Sequence, residues 1–400
     1  MPFSSSHNHA FAVSFVCSRG ENTLTATSVV ECLSQPEETP SVVESKPVYC
    51  HCHCIEPLKD RRWEEFVQRH PRGSLFHSSA WLEALSRTYG YRPIAYTTSP
   101  AGRDLENGVV FCQVESWLTG RRLVSLPFSD HCEPLVDTPE DMQAIAVALE
   151  QECRGGPWRY IEMRPLQGFE IVTSLPHTTV PYTFHQLDLR PDLDTLFRNC
   201  HKNSTQRKIL RAEREGLECR EGATEELLDC FYKLHTITRQ RHNRPPQPRK
   251  WFVNLMDCFG DALKVRVAFQ GDRPVAALVT IRHKDTLVYK YGGSDSRFNN
   301  LGSMHFLLWR AIQEAKASGL HFFDFGRTEA AQHGLVTFKK RWGTTESSLI
   351  YSRYGLSDKV THMFESSAAS WKSRVAKYLL AHMQPGVLSL AGRALYRHVG

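Results

Sequence analysis

Apolar positions along this chain recur with two different periods. Trp63, Phe66, Val67 and His70 fall at helical spacing, as do Trp81, Leu82, Leu85 and Tyr89 behind Ser78 or Ser79 as a cap. Strands are predicted near IAYTT, VVFCQV and LVSLP. Thr138-Pro139-Glu140-Asp141 then reads as a helix start, with a cap, a proline at the first helical position and an acidic third. Met142, Ile145, Ala146 and Leu149 give that helix its core stripe, and strand RYIEMRP closes the half. The second half predicts helices over about 203–215, 225–241 and 248–259, the last ending at Gly260. Strands KVRVAF and VAALVTI flank the turn QGDRP, and TLVYKY follows. A helix after Gly302 carries Met304, Leu307, Leu308, Ala311, Ile312 and Ala315, and leads into strand HFFDFG.

The two halves share a plan. VVFCQV, LVSLP, helix and YIEMRP correspond to AALVTI, TLVYKY, helix and FFDFGR, with about 37 residues between the last two strands in one half and about 35 in the other. The pattern predicts a duplicated α/β unit with helix-covered sheets. Its expected organisation is a leader at 1–48, units at 49–190 and 191–360, and a tail at 361–400.

Composition sharpens this outline. The leader is rich in Ser, Thr, Glu and Pro and predicts no stable fold, and its start has the character of neither a signal nor a transit peptide. Of the net charge of +6, residues 366–400 contribute +5 through Lys372, Arg374, Lys377, Arg393 and Arg397, since no acid follows Glu365. The body is therefore nearly neutral, which argues against a nucleic-acid-binding body. In the tail, Trp371, Val375, Tyr378 and Leu379 share a helical face that suits either an anionic membrane surface or docking on the body. Twelve cysteines without paired spacing read as reduced thiols, so a cytoplasmic setting is expected, with peripheral contact to the inner membrane face through the tail. Cys50, Cys52 and Cys54 alternate with His51 and His53, which sends the two residue types to opposite faces of a strand and predicts no metal site.

Four stretches carry candidate chemistry. In HKNSTQRKILRAEREG, Lys202 stands at a helix start and Arg207, Arg211 and Arg214 share a face, the makings of an anion site or of a solvated helix. In YGGSDSRFNNLGSM, a strand ends at Tyr291, Arg297 follows in the loop, and Gly302-Ser303 opens a helix, the order that cradles phosphate or merely joins strand to helix. Asp130, after the strand LVSLP, is placed to orient or deprotonate an acceptor, or to cap a turn. In FFDFGRT and FKKRWG, Gly326 frees the strand exit while Arg327, Phe338 and Lys339 bring cations and an aromatic ring to one neighbourhood. The structural alternative is Arg327 paired with Asp324 or Glu329.

Together, LFHSSAWLEALSRTYGYRPIAY, LVSLPFSDHCEPLVD, STQRKILRAEREGLECR, PVAALVTIRHKDTLVYKYGGSD, LGSMHFLLWRAIQEAKASGLHFFDFGRT and GLVTFKKRWG resemble the Fem-type (FemAB-like) branch of the GNAT acetyltransferase superfamily. The resemblance spans roughly 56–355, and within that branch is closest to members of exopolysaccharide and envelope loci. It implies an α/β (α+β) fold of two tandem GNAT-like units, each a mixed, mostly antiparallel sheet flanked by helices. It further implies an N- or O-acyl or aminoacyl transferase acting on an anionic envelope-glycan, peptidoglycan or nucleotide-sugar precursor, free or lipid-linked. Lys339 of the Phe338-Lys339 pair and the helix with Lys202, Arg207 and Arg211 would contact substrate phosphates. The donor would be an acyl-CoA or an aminoacyl-tRNA, with no permanently bound cofactor. The second unit lacks the long heptad arm that binds tRNA in some members, which makes tRNA the less expected partner, and of the family's CoA-loop glycines only Gly302 is present. Two other readings stay open: an acetyl-CoA-dependent N-acetyltransferase, and a non-catalytic binder of anionic glycans or nucleotide sugars that keeps the fold.

Overall fold

The repeated pattern appears as two runs of strands joined in one sheet. The computed structural model describes residues 52–166, 172–356, 385–398 and 400. Lobe one holds β1 (His53–Ile55), α1 (Arg61–Arg69), α2 (Ser79–Tyr89), β2 (Arg92–Thr97), β3 (Val109–Ser116), β4 (Gly120–Val124), α3 (Pro139–Gly155) and β5 (Tyr160–Met163). The caps form as the sequence predicts: Ser78 accepts from the Trp81 N–H, and Thr138 accepts from the Asp141 N–H ahead of Pro139.

A long strand, β6 (His177–Asp188), leads into lobe two. There α4 (Leu193–Asn199), a π-turn at Lys202–Gln206 and α5 (Arg207–Arg214) precede β7 (Glu218–Gly222), α6 (Glu225–Arg241), α7 (Arg249–Phe259), β8 (Leu263–Gln270) and β9 (Arg273–His283). Then come β10 (Thr286–Ser294), α8 (Ser303–Ala317), β11 (Phe322–Glu329), α9 (His333–Lys340) and β12 (Thr345–Tyr354). The sheet order is β1-β2-β3-β4-β5-β12-β6-β11-β10-β9-β8-β7.

Each lobe repeats one motif. Antiparallel strands lead to a strand that crosses over through a helix to a parallel neighbour: β4 to β5 through α3, and β10 to β11 through α8. All other strand pairs are antiparallel. The closing strands are exchanged. β6, which follows lobe one, pairs with β11 of lobe two, and β12, which follows lobe two, pairs with β5 of lobe one. β6 and β12 then pair with each other from Thr345–Gln186 to Tyr354–His177, so the sheet crosses the 190/191 boundary without a break.

The cores cross it too. Trp63, Trp81 and Leu85 of lobe one share a cluster with Phe231, Trp251 and Phe252 of lobe two, and Trp81 meets Trp251 edge-on at 5.2 Å. Each such side chain contributes about 1.5–3 kcal/mol when fully buried, so the contact between α2 and α7 fixes the lobes against each other. On the other face, α8 packs Leu307, Leu308 and Ile312 over Phe323 and Phe325, beside Trp342.

A last helix, α10 (Pro385–Tyr396), docks on the body: Tyr91 Oη donates to the Tyr396 carbonyl at 3.0 Å, and Arg122 donates to the His398 carbonyl at 2.7 Å. The tail stripe from Trp371 to Leu379 lies outside the described residues. Among those described, no helix is long and apolar enough to cross a membrane.

Candidate active site at the lobe junction

β10 and β11 stay paired only from Thr286–Phe322 to Val288–Asp324, and then part. Both strands are bulged at the parting, β10 between Tyr289 and Tyr291 and β11 between Asp324 and Gly326. A bulge removes one residue from the regular alternation and re-aims side chains. Here it delivers Lys290 toward the other lobe, over the rings of Phe76 and Trp81 at 4.9 and 5.6 Å.

Lobe one answers with the loop after β4. Leu126 and Phe128 adopt left-handed backbone, φ 58° and 63°, at about 1–3 kcal/mol each. The tight turn carries Asp130 across the junction, where its Oδ2 lies 2.6 Å from Lys290 Nζ and its Oδ1 3.9 Å from Arg327 Nε. Gly326 makes the approach possible: its φ is 72°, and a Cβ there would sit 3.2 Å from Asp130 Oδ2. The exchanged strand fixes the loop from below, since Tyr351 Oη donates to the Asp130 carbonyl at 2.8 Å.

Lys339, on α9, is 3% exposed and donates to the carbonyls of Gly326 and Arg327 at 2.9 and 3.0 Å. Burial pushes it down to about 8; Asp130 and Asp324 oppose this, and Arg327 and Lys290 add to it. Burial alone would raise the Asp130 carboxyl, but Lys290 and Arg327 outweigh it and hold it below the usual range. Lys290 is itself pulled down by burial against the pull of Asp130, and at 2.6 Å the contact is that of an ammonium on a carboxylate. Arg327 lies over Tyr182 and Tyr351, 4.5 and 5.1 Å from the ring centroids, with its side chain 30% exposed.

A cavity of about 250 Å³ has Phe76, His131, Phe184 and Asp324 among its walls, whereas Asp130, Lys290, Arg327 and Lys339 do not line it. His131 Nε2 is 3.8 Å from Asp324 Oδ2, and its buried Nδ1 has no hydrogen-bond partner. Burial lowers the imidazole, yet Asp324 and Glu133 more than offset this and raise it, which favours the imidazolium. Lys290, Lys339 and Arg327 thus face the two carboxylates Asp130 and Asp324, with His131 adding charge: the junction carries excess positive charge in a poorly solvated place. An anion entering it gains more than it would in water.

The equivalent parting in lobe one is closed. Past Val124–Glu162 the chain fills it, as Arg164 donates to the Leu126 carbonyl at 2.6 Å and the Cys132 N–H to the Arg164 carbonyl at 2.7 Å. Glu162, 2% exposed, takes both Arg164 and Arg353. Cys132 is buried, its thiol pushed up to about 12, which suits packing and not nucleophilic attack.

The structure brings Asp130, Arg327 and Lys339 together and adds Lys290, His131 and Asp324. Other candidates lie elsewhere. Lys202 and Arg207 are exposed and Arg211 pairs with Glu215 at 3.4 Å, so these stand on a solvated helix face and make none of the junction contacts. Arg297 is held by Asp295 at 2.6 Å and is no free clamp. Gly302, φ 77°, is in close contact with α5: a Cβ there would meet the Lys208 carbonyl at 2.3 Å. The start of α8 at Gly302-Ser303 is thus covered by backbone and offers no open phosphate cradle, and Ser303 is buried. Tyr291 Oη accepts from Trp251 at 2.8 Å within the shared core, and Phe338 packs edge-on against His305 at 5.2 Å.

The parallel pair that splays beside a bulge, with its crossover helix, coincides with a family match: residues 200–340 match the acetyltransferase (GNAT) domain. The arrangement is similar to that in the crystal structure of FemX, with a TM-score of 0.59 at 14% identity, covering 78% of this chain and 99% of that one. The chain has a FemX-like fold, and the part that matches the GNAT domain lies in its second lobe. The FemX-like fold is shared with the C-terminal domain of a putative lysylphosphatidylglycerol synthetase from Agrobacterium fabrum (TM-score 0.51, 12% identity, 78% of this chain and 96% of that one). It is shared also with L-PGS from Bacillus licheniformis (TM-score 0.50, 13% identity, 86% and 98%). No curated protein sequence matches the chain.

Proposed function

We propose that this protein is an acyltransferase whose reaction centre is the junction of Asp130, Lys290, Arg327 and Lys339, and whose acceptor is an anionic precursor of an envelope glycan. The convergence of these groups from both lobes where β10 and β11 part carries the reading. In acyl transfer, an acceptor amine or hydroxyl forms a bond to the acyl carbon and loses its proton. The donor's C–S or C–O bond breaks, and the leaving thiolate or alkoxide takes up a proton. Negative charge develops first on the carbonyl oxygen and then on the leaving group. Arg327 and Lys290 supply preorganised positive charge for it. Lys339, with a pKa of about 8, is matched to passing one proton to the leaving group and regaining one from the acceptor. Asp130 is best suited to hold Lys290 and Arg327 in position, because its own low affinity for protons makes it a weak base.

The donor is an acyl-CoA thioester or an aminoacyl ester. The covered start of α8 weighs against a CoA diphosphate seated there. Incubation of the full chain with radiolabelled acetyl-CoA, and separately with charged tRNA, against nucleotide-sugar and lipid-linked acceptors tests the reading. Label should pass from one donor to an acceptor, and Lys339→Met should slow the transfer by roughly 10²-fold. Tight acceptor binding without transfer from either donor would instead make the protein a binder that keeps the fold.

A further inference from the structure

A second groove, of about 560 Å³, lies between α2, the start of α7 and the C-terminal segment. Arg249, Lys250, Arg393 and Arg397 line it, together with Tyr89. Arg249 is committed to Asp229 at 2.8 Å and to Glu225. Lys250, Arg393 and Arg397 form no ion pair among the described residues. α7 begins here behind Pro248, with no side-chain cap and no acid in its first turn, so its leading N–H groups and its positive dipole end meet the groove. Tyr89 lines the groove. It is 8% exposed, and its buried hydroxyl has no hydrogen-bond partner. Leaving such a group unpaired costs about 1–3 kcal/mol. Burial also holds that phenol well above its ordinary range, so it stays protonated.

The C-terminal segment is firmly seated. Tyr396 Oη takes a hydrogen bond from Arg239 at 2.6 Å and gives one to the Pro245 carbonyl at 3.1 Å, while Gly392 presses on the loop before α7, where a Cβ would meet the Pro246 carbonyl at 2.1 Å. Arg393 and Arg397 are therefore held near Lys250 by a built contact.

We infer that this groove is a binding site for a phosphate-bearing ligand, completed by Arg393 and Arg397 of the C-terminal helix, with Lys250 and the start of α7 as further donors. Its size and its several cations suit a diphosphate better than a single phosphate. A diphosphate can belong to a soluble nucleotide derivative or to the headgroup of a lipid, and the chemistry recognised is the same. The site stands whether or not the junction catalyses acyl transfer.

Calorimetric titration of the full chain with inorganic pyrophosphate is the test, with Arg393→Gln/Arg397→Gln and Lys250→Gln as variants. All three side chains are exposed, so the fold should persist. Pyrophosphate should bind, weaken with salt, and lose roughly tenfold or more in affinity in the double variant and several-fold in Lys250→Gln. In a second arm, phosphatidylcholine vesicles carrying a polyprenyl diphosphate replace pyrophosphate in co-sedimentation. Binding to vesicles alone, lost in the same variants, assigns the groove to a lipid headgroup. Equal binding by wild type and variants in both arms, or no binding in either, overturns the site.

Discussion

Lys290 Nζ and Asp130 Oδ2 meet at 2.6 Å across the lobe junction, one from a bulge in lobe two and the other from a strained loop in lobe one. Both side chains are largely buried, so each holds the other's charge. Removing one partner leaves an uncompensated charge, at about 3–5 kcal/mol. Asp130→Ala and Lys290→Ala should each lower unfolding stability by that order, and the double variant by clearly less than the sum. Urea unfolding of all four proteins closes the cycle; simple additivity would mean the two groups do not interact.

Lys339 gives a pH signature. Its folded-state value, about 8, lies below the ordinary 10.5, so between these pH values the unfolded chain binds more protons than the native one. Stability contributed by this group therefore rises with pH across that window, and the full cost of charging a buried lysine is present below it. Lys339→Met removes the titration. The stability gain of Lys339→Met over wild type should be of order 3 kcal/mol near pH 7 and shrink toward pH 10.5. A difference that stays flat with pH would place the lysine in a solvated setting.

Gly326 and Gly319 separate two effects of glycine. Both have positive φ, 72° and 74°, but a Cβ on Gly326 would crowd Asp130 at 3.2 Å, and one on Gly319 meets nothing within 4 Å. Gly319→Ala should cost only the left-handed backbone penalty, about 1–2 kcal/mol. Gly326→Ala should cost more and also disturb the Asp130–Lys290 contact, so transfer activity should fall well beyond the stability loss. Equal behaviour of the two variants in unfolding and in activity assays would deny Gly326 its role as a spacer.

Much of this arrangement is legible before folding, and the misses have identifiable causes. Helical and strand periods locate most elements of both lobes, because each buries one regular face. β6 and β12 escape notice: HTTVPYTFHQLD contains Pro181 and mixed polarity, which argue against a central strand, and its place is set by pairing with partners far along the chain. Asp130, Arg327 and Lys339 stand out through local motifs. Lys290 does not, since TLVYKY reads as a regular strand and periodicity cannot reveal the bulge that turns it. Asp130 and His131, adjacent in sequence, serve opposite partners, Lys290 and Asp324. Arg297 and Gly302 mislead for a different reason: a nearby Asp295 and the packing of α5, neither visible in a loop motif, take up the groups that a phosphate would use.

Glu162 predicts the acid limit of lobe one. Burial would raise its carboxyl, but Arg164 and Arg353 prevail and hold it down at about 2. Its stabilising contribution is complete above pH 4.5 and is lost as pH falls toward 2. Glu162→Gln leaves two arginines on a neutral amide and should destabilise by about 3–5 kcal/mol at pH 7. The gap from wild type should narrow between pH 4.5 and 2, as read from chemical unfolding at stepped pH. A gap independent of pH would indicate a packing effect of the amide and not lost charge.

Arg327 should separate binding from chemistry. Its guanidinium is stacked over Tyr182 and Tyr351 and faces Asp130, with part of the side chain open to solvent. If it acts on charge that develops only during acyl transfer, truncation lowers kcat more than it raises KM. Arg327→Ala should cut kcat by roughly 10²-fold with a smaller change in KM. Arg327→Lys keeps the charge but loses the planar contact with both rings, so it should recover only part of the rate. Steady-state kinetics of the two variants, with Lys339→Ala alongside, decides the matter. Wild-type constants in both Arg327→Ala and Lys339→Ala would remove these residues from the reaction centre, whereas a pure rise in KM would reassign Arg327 to holding the acceptor.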